Sequence, residues 1–407
     1  MLTPVMSERP KVPRRHVDEL RGATKLAIEA TRGVTELVEA MHRDIASGPR
    51  VLGSPLAKPA RVLTGLVYGS IKGVTNLIGA GVDAALARLA PVLGESAPGR
   101  EREAVLAALN GVLGDYLQET HNPLAIVMSL RVDGQSLELQ REVLAKEFPD
   151  NETRLLILVH GSSMCDGQWQ RNGHDHGAAL AEKFGLRPIY VQYNSGLHVS
   201  TNGAELAGLL EQLVCAWPVD VEEIALLGHS MGGLVARSAC VSGERAGHAW
   251  RRKLHKMVFL GTPHHGAPLE RGGQWLHFLM GISHYSAPLG RLAKIRSAGV
   301  TDLRYGNVLD EHWRGLDRFA LGKDNRTPLP LPTDVDCFAI AGTTSSTMSA
   351  RLPGDGLVPI DSALGTHARA ELTLDFREDR RFIAMGTGHL DLLDSSLVFD
   401  RVRDWFG

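Results

Sequence analysis

A serine between flanking glycines offers the clearest chemistry in the sequence. The run Gly228-His229-Ser230-Met231-Gly232 has the form GxSxG, and it stands between the aliphatic run IALL and the helical pattern LVARSACV. A tight turn between a strand and a helix exposes such a serine above the sheet, and glycines are needed there because a Cβ would clash. The backbone N–H of Met231, at the positive end of the following helix, can donate to an oxyanion. The motif predicts Ser230 as the nucleophile of acyl transfer.

A second turn can supply the other oxyanion donor. His160-Gly161-Ser162-Ser163 follows the aliphatic run LLILV. A His-Gly turn at a strand end lets the next backbone N–H point into the pocket, so we predict that Ser162 N–H takes this role. A plain strand-to-loop turn is the alternative. We also expect contacts with the substrate from His160, Gly161, Ser163, His229 and His264, while Tyr193, Asn194 and Ser195 line the same mouth without a catalytic role.

A serine hydroxyl is a weak nucleophile, so the chain must also supply a base and an acid that holds the base in its productive tautomer. Asp355 lies on a glycine-flanked loop in PGDGLVPI, and His389 follows a Gly-Thr-Gly loop in MGTGHLDLL. The chain order Ser, Asp, His is the one that strand-turn-helix hydrolases use. The alternatives are Asp361 for the acid, and His264, His265 and His367 for the base.

The elements around these motifs indicate an α/β protein. Aliphatic runs such as LLILVHG, RPIYVQY, EEIALLGHS, HKMVFLGTP and DVDCFAIAG alternate with helical patterns, which predicts a largely parallel sheet with helices on both faces. The runs on either side of Asp133-Gly134 predict a hairpin. We place the catalytic domain at residues 121–407. Within it, residues 268–332 lose the strand pattern, and we interpret them as a lid whose apolar side chains include Trp275, Phe278 and Leu279.

Residues 1–120 have a different pattern, which we interpret as a separate N-terminal helical region. Gly65, Gly69 and Gly73 recur along one face of an apolar segment, a spacing that permits close helix approach. Lys72 interrupts the segment, and the apolar runs beside it are shorter than a bilayer span requires. Two interpretations stay open: a helical hairpin packed on the rest of the protein, or a surface anchor for a membrane or a lipid body.

Six motifs together resemble one known superfamily. They are LVHGSS, YVQYNSGLHVSTNG, LLGHSMGGLVAR, FLGTPHHGAP, GDGLVP and GHLDLL, and they look like the lipase and esterase branch of the α/β-hydrolases. Within that branch, residues 121–407 most resemble bacterial hydrolases similar to the glycosylphosphatidylinositol inositol-deacylase catalytic domain. The resemblance implies an α/β-hydrolase fold, with Ser230 as nucleophile, Asp355 as acid, His389 as base, and the backbone of Ser162 and Met231 as oxyanion hole.

Composition limits the partners. The 407 residues include 43% hydrophobic and 22% charged side chains, which is ordinary globular usage. The net charge of -2 provides no basic field for nucleic acid. The four cysteines lack metal-ligand spacing. No secretion signal is recognisable, so we expect a cytoplasmic protein, peripheral to a membrane if residues 1–120 form an anchor.

These observations predict a serine ester hydrolase that needs neither a metal nor an organic cofactor. Because the lid sequence is apolar, we expect a lipid-like or medium-chain ester as the substrate. The same triad would serve a thioesterase, an acyltransferase or an intracellular polyester depolymerase. A non-catalytic binding protein of a membrane or lipid body, built on a hydrolase fold, is the alternative of a different class.

Overall fold

The structure, a computed structural model, describes residues 100–119, 121–150, 152–267, 297–316, 324, 326–349 and 352–407. The chain divides into two units, of which one comprises residues 103–116 and 125–407 and the other residues 1–102 and 117–124. The glycine-spaced segment of the N-terminal region and the lid residues Trp275, Phe278 and Leu279 lie outside the described residues. The domain boundary at residue 120 stays a prediction.

The described residues form an eight-stranded sheet and a set of helices. The strands are β1 (Ser129–Val132), β2 (Gln135–Ser136), β3 (Arg154–Val159), β4 (Arg187–Gln192), β5 (Glu223–His229), β6 (Leu254–Leu260), β7 (Asp336–Gly342) and β8 (Arg381–Ala384). The α-helices are α1 (Arg100–Glu119), α2 (Arg141–Glu147), α3 (His176–Phe184), α4 (Val199–Ala216), α5 (Met231–Ala246), α6 (Ala298–Asp302), α7 (Ile360–Ala363) and α8 (Ser396–Phe406).

The strand order across the sheet is β2-β1-β4-β3-β5-β6-β7-β8. Strand β1 is antiparallel to both of its neighbours, and every pair from β4 to β8 is parallel. The predicted α/β-hydrolase fold is thereby confirmed. In the register, Val159 pairs with Gly228 and His229 pairs with Leu260, so the carboxyl ends of β3, β5 and β6 meet at one edge. The loops that leave these ends are therefore neighbours.

The predicted hairpin is also present. Val132 pairs with Gln135 across a two-residue turn, and both turn residues have positive φ, 49° at Asp133 and 73° at Gly134. An Asp-Gly pair in this conformation suits the type I′ turn, whose twist matches that of the flanking strands. The turn chemistry thus sets the pairing of β1 with β2 at the edge of the sheet.

Helices cover both faces of the sheet. On one face, Leu156 and Leu158 of β3 belong to a buried cluster with Leu180 of α3 and with Val398 and Val402 of α8. On the other face α5 lies so close that a Cβ at Gly233 would come 2.9 Å from the ring of Phe259 in β6. Consecutive strand residues point to opposite faces, so aliphatic residues at every position are needed to bury both.

The insertion between β6 and β7 is described in part. Its described residues contain α6 and a 3₁₀ turn at Asp310–His312, and they contain no strand. Its role as a lid stays a prediction. Among the helices of the described ranges, none has the length and apolar character needed to cross a bilayer.

Candidate active site

Ser230 occupies a strained turn between β5 and α5. Its φ is 53° and its ψ is -125°, a region that non-glycine residues rarely adopt. Its backbone N–H donates to the carbonyl oxygen of Leu260, 2.8 Å away, which ties the turn to the end of β6. Such strain persists only where the surrounding structure fixes the backbone, and it presents the side chain above the strand ends.

The neighbouring glycines are required by close backbone contacts. A Cβ at Gly228 would lie 2.6 Å from the Cα of Gly233, and one at Gly232 would lie 2.1 Å from the carbonyl oxygen of Val159. A Cβ at Gly161 would come 3.1 Å from the Cβ of Ser230. The turn after β3 therefore lies directly against the serine.

Asp355 and His389, which follow β7 and β8, are hydrogen-bonded to each other. The Asp355 Oδ2 atom accepts a hydrogen bond from His389 Nδ1 at 2.7 Å, and the His389 backbone N–H donates to the Asp355 carbonyl oxygen at 2.9 Å. Asp355 Oδ1 accepts from the N–H groups of Leu357 and Val358 at 2.9 and 2.7 Å. The carboxylate is thus held in one orientation, and it fixes the proton of the imidazole on Nδ1.

His229 and Gly261 connect this pair to the serine. His229, the residue before Ser230, places its Nε2 atom 3.0 Å from the His389 carbonyl oxygen, and the two imidazole rings are 4.8 Å apart. A Cβ at Gly261, which has φ 57°, would lie 3.3 Å from His389 Cε1 and 3.1 Å from Asp355 Oδ2. The three residues predicted for the triad therefore follow β5, β7 and β8, whose carboxyl ends lie on the same side of the sheet.

The two predicted oxyanion donors lie in the loop after β3 and at the start of α5. Ser162 is buried in the loop after β3. The backbone N–H of the next residue, Ser163, donates a hydrogen bond to Ser195 Oγ at 2.8 Å. Met231 is the first residue of α5, where backbone N–H groups have no partner within the helix. A helix end and a strand-end turn can together bind an oxyanion.

The other predicted contact residues divide between two places. Gly161 and His229 touch the serine turn, as described above, and His160 stacks on Tyr193 with ring centroids 4.3 Å apart. His264 instead lies 3.4 Å from Arg237 and packs edge-on against Phe259. The structure gives it no contact with the Asp355–His389 pair within the described residues.

The alternative acid and bases lie elsewhere. Asp361 is exposed near the start of α7. His265 Nε2 lies 2.9 Å from the Gly365 carbonyl oxygen, and His367 Nε2 lies 3.5 Å from Asp324 Oδ2. The described residues contain no group of three His, Cys, Asp or Glu side chains placed to hold a metal ion.

Several histidines near the site are buried, which has a consequence for stability. Burial lowers the pKa of His160 and of His176 from 6.5 to about 4, and lowers the pKa of His229 and of His264 well below its ordinary value. Just below pH 6.5 these rings stay neutral in the folded protein, whereas they gain protons in the unfolded chain. For His160 and His176, the contribution to the free energy of unfolding is therefore present above pH 6.5 and lost as the pH falls to about 4.

We accordingly expect the melting temperature to fall steeply between pH 6.5 and pH 4. Thermal unfolding in matched buffers measures it. In His176→Gln, which removes one such proton site, the fall should be shallower, whereas His255→Gln should follow wild type because the side chain of His255 is exposed. A melting temperature that is flat across this window would contradict the assignment.

Sequence reasoning did not identify Gly261 or helix α1 as parts of the site. Gly261 follows the strand run MVFL, and a glycine directly after a strand was the available signal. In α1, Gly111 and Gly114 contact the loops around the serine: a Cβ on either would lie within 2 Å of Ser163 Oγ or of Asn194 Oδ1. The spacing Gly111-x-x-Gly114 was the only hint, because the helix itself precedes the catalytic pattern.

Comparison with known proteins supports the resemblance. Residues 212–342 match the family model of the PGAP1-like alpha/beta domain, a segment that contains Ser230 and ends before Asp355. The resemblance stated from the motifs is confirmed over this segment. No curated protein matches the chain.

Three solved structures are among those to which the chain is similar. The mature form of the Bacillus licheniformis lipase BlEst2 is 16% identical, with 69% of this chain and 98% of that one covered, at a TM-score of 0.41. Aspergillus fumigatus lipase B is 12% identical, with 67% of this chain and 54% of that one covered, at a TM-score of 0.39. A thermophilic esterase from Thermogutta terrifontis is 17% identical, with 62% of this chain and 89% of that one covered, at a TM-score of 0.35.

Proposed function

We propose that the chain is a serine ester hydrolase whose nucleophile is Ser230, with His389 as the base and Asp355 as the acid. The observation that carries the proposal is the hydrogen bond of 2.7 Å between His389 Nδ1 and the buried Asp355 carboxylate, at the strand edge where Ser230 stands in its strained turn. Asp355 Oδ2 orients the base and fixes its proton on Nδ1, the tautomer in which Nε2 can accept the serine proton.

In the acylation step, Ser230 Oγ bonds to the ester carbonyl carbon while His389 Nε2 takes the hydroxyl proton. The carbonyl oxygen becomes an oxyanion, which the N–H groups of Ser162 and Met231 stabilise. When the tetrahedral intermediate collapses, the carbon–oxygen bond to the alcohol breaks and His389 returns the proton to the leaving group. Asp355 stays ionised and stabilises the imidazolium.

In the deacylation step, water replaces the alcohol. His389 takes a proton from water as its oxygen bonds to the acyl carbon, and the second tetrahedral intermediate forms in the same oxyanion hole. Its collapse breaks the bond to Ser230 Oγ, which recovers the proton from His389. The products are a carboxylic acid and the free serine, so the chemistry of the triad closes without a further reactant.

We propose a lipid-like or medium-chain acyl group for the substrate. The support is the apolar sequence WLHFLM in the insertion after β6, since a buried hydrocarbon chain gains about 0.8 kcal/mol per CH₂. Localisation in the cytoplasm, with peripheral contact to a membrane or lipid body through residues 1–120, is part of the same proposal and rests on sequence alone.

Hydrolysis of p-nitrophenyl esters from acetyl to palmitoyl tests this proposal. We expect kcat/KM to rise by up to about fourfold for each CH₂ added beyond acetyl, until the pocket is filled. The thioester with the preferred acyl chain, measured beside the oxygen ester, separates an esterase from a thioesterase. A steady fall in kcat/KM from acetyl upward would contradict the apolar acyl site.

A further inference from the structure

Helix α1 is in backbone contact with two loops of the candidate site. A Cβ at Gly111 would lie 1.9 Å from Ser163 Oγ and 2.8 Å from Ser163 Cα. A Cβ at Gly114 would lie 1.8 Å from Asn194 Oδ1. Gly111 and Gly114 are three residues apart, so they share one face of the helix. At these two positions an added side chain would collide with the loops, so α1 packs closely against them.

The first loop carries the predicted oxyanion donor Ser162. Its next residue, Ser163, has φ 60°, a conformation that a serine adopts only when its surroundings fix it. Ser163 is fully buried, and its N–H donates to Ser195 Oγ at 2.8 Å. Because Ser162 and Ser163 are adjacent, the direction of the Ser162 N–H depends on how Ser163 is held.

The second loop, residues 193–196 after β4, closes the connection to α1. Asn194 Nδ2 donates to the Gly114 carbonyl oxygen at 3.0 Å, and Asn194 Oδ1 accepts from the Gly196 N–H at 3.0 Å. A Cβ at Gly196 would lie 2.2 Å from the Asn110 carbonyl oxygen. The contacts therefore run from Gly111 through Ser163, Ser195 and Asn194 back to Gly114.

The same helix also reaches the side of the second donor, Met231. Ser297 Oγ donates to the Gly111 carbonyl oxygen at 2.7 Å, and Asp115 Oδ2 accepts from the Ala298 N–H at 2.9 Å. These bonds hold the start of α6, where a Cβ at Gly299 would lie 2.9 Å from Met231 Cε. Helix α1 is thus bonded to segments next to both predicted donors.

We propose that α1 is a positioning element of the oxyanion hole. Its positioning residues are Gly111 and Gly114 of α1, together with Ser195 in the loop after β4. This inference rests on the proposed function and adds to it. In this proposal α1 acts through the backbone of the loop that carries Ser162. The catalytic unit accordingly needs residues that precede the first strand of the sheet.

Three substitutions in the full chain test the proposal. Gly111→Ala forces α1 away from Ser163, and Ser195→Ala removes the acceptor of the Ser163 N–H without adding bulk. Gly208→Ala is the matched control, because Gly208 is a helical glycine of α4 and its added Cβ would meet nothing within 4 Å. Each variant is assayed for kcat and KM on p-nitrophenyl butyrate, for inhibition by a trifluoromethyl ketone, and for melting temperature.

We expect Gly111→Ala and Ser195→Ala to lower kcat about 10- to 100-fold, less than the loss of a whole oxyanion donor. KM should stay within about threefold of wild type, because the donors act on charge that develops only in the transition state. The trifluoromethyl ketone, which forms a tetrahedral oxyanion, should lose affinity in parallel with kcat. Gly208→Ala should match wild type in all three.

Two results would overturn the proposal. In one, kcat and ketone affinity of Ser195→Ala stay within about twofold of the control, even if its melting temperature falls, which would make α1 a stabilising element only. In the other, KM rises while kcat holds. The proposed function itself fails if wild type hydrolyses no ester and its Ser230 does not react with a fluorophosphonate. That result is seen in wild type, so it is distinct from the two variant results that overturn the role of α1.

Discussion

Ser230→Ala is expected to lower ester hydrolysis by about four to six orders of magnitude, the largest loss of any substitution in the chain. The substitution removes the only atom proposed to bond to the acyl carbon, and it leaves the imidazole without a proton to accept. The backbone of the turn is unchanged, so the oxyanion donors remain, and residual catalysis from them is the expected floor. Purified wild type and variant are compared in kcat/KM on the preferred p-nitrophenyl ester.

Ser238, a buried serine of the helix that follows Ser230, provides the control. Ser238 of α5 packs against Gly203 of α4, away from the strand ends, so Ser238→Ala should keep its activity. Thermal unfolding of both variants shows that the loss in Ser230→Ala is not a loss of fold. If Ser230→Ala retained more than about a tenth of the wild-type rate, the serine could not be the nucleophile.

Asp355→Asn should have the second largest effect, a decrease in kcat of about 10⁴-fold. Asp355 Oδ1 already accepts two backbone N–H groups and Oδ2 accepts the His389 Nδ1 proton, so all its contacts come from donors. An amide must turn its NH₂ toward one of these donors. If it faces His389, the imidazole proton moves to Nε2 and the ring can no longer act as a base.

Asp361→Asn separates this explanation from a general effect of charge. Asp361 is the other sequence candidate, six residues along the same segment, and it is exposed. Its substitution should leave kcat and its pH profile unchanged. Equal losses in the two variants, or a larger loss in Asp361→Asn, would contradict the assignment of the acid.

The parts of the site that sequence predicted are those with local signals. GxSxG between an aliphatic run and a helical pattern specifies a strand, a strained turn and a helix, and the structure has this arrangement at Ser230. Asp355 and His389 are likewise marked by glycine-flanked loops after strand runs. Each signal lies within about ten residues of the side chain that it identifies, so no knowledge of distant packing was needed.

The role of α1 could not be predicted in this way. Its contacts with Ser163 and Asn194 join residues far apart in the chain, and a change of pattern near His121 suggested that the helix belonged to a separate region. In the structure, contacts group residues 103–116 with residues 125–407. A glycine in a helix weakens it, so Gly111 and Gly114 are explained only by what packs against them.

Fluorophosphonate labelling of the folded wild-type protein, followed by peptide mass spectrometry, tests the central claim most directly. The reagent bonds to an activated serine and requires no knowledge of the natural ester. We predict stoichiometric modification of Ser230 alone, with labelling slowed strongly in Asp355→Asn and unchanged in Asp361→Asn. An adduct on another residue, or no adduct in protein whose fold is intact, would contradict the assignment of Ser230, His389 and Asp355 as a catalytic triad.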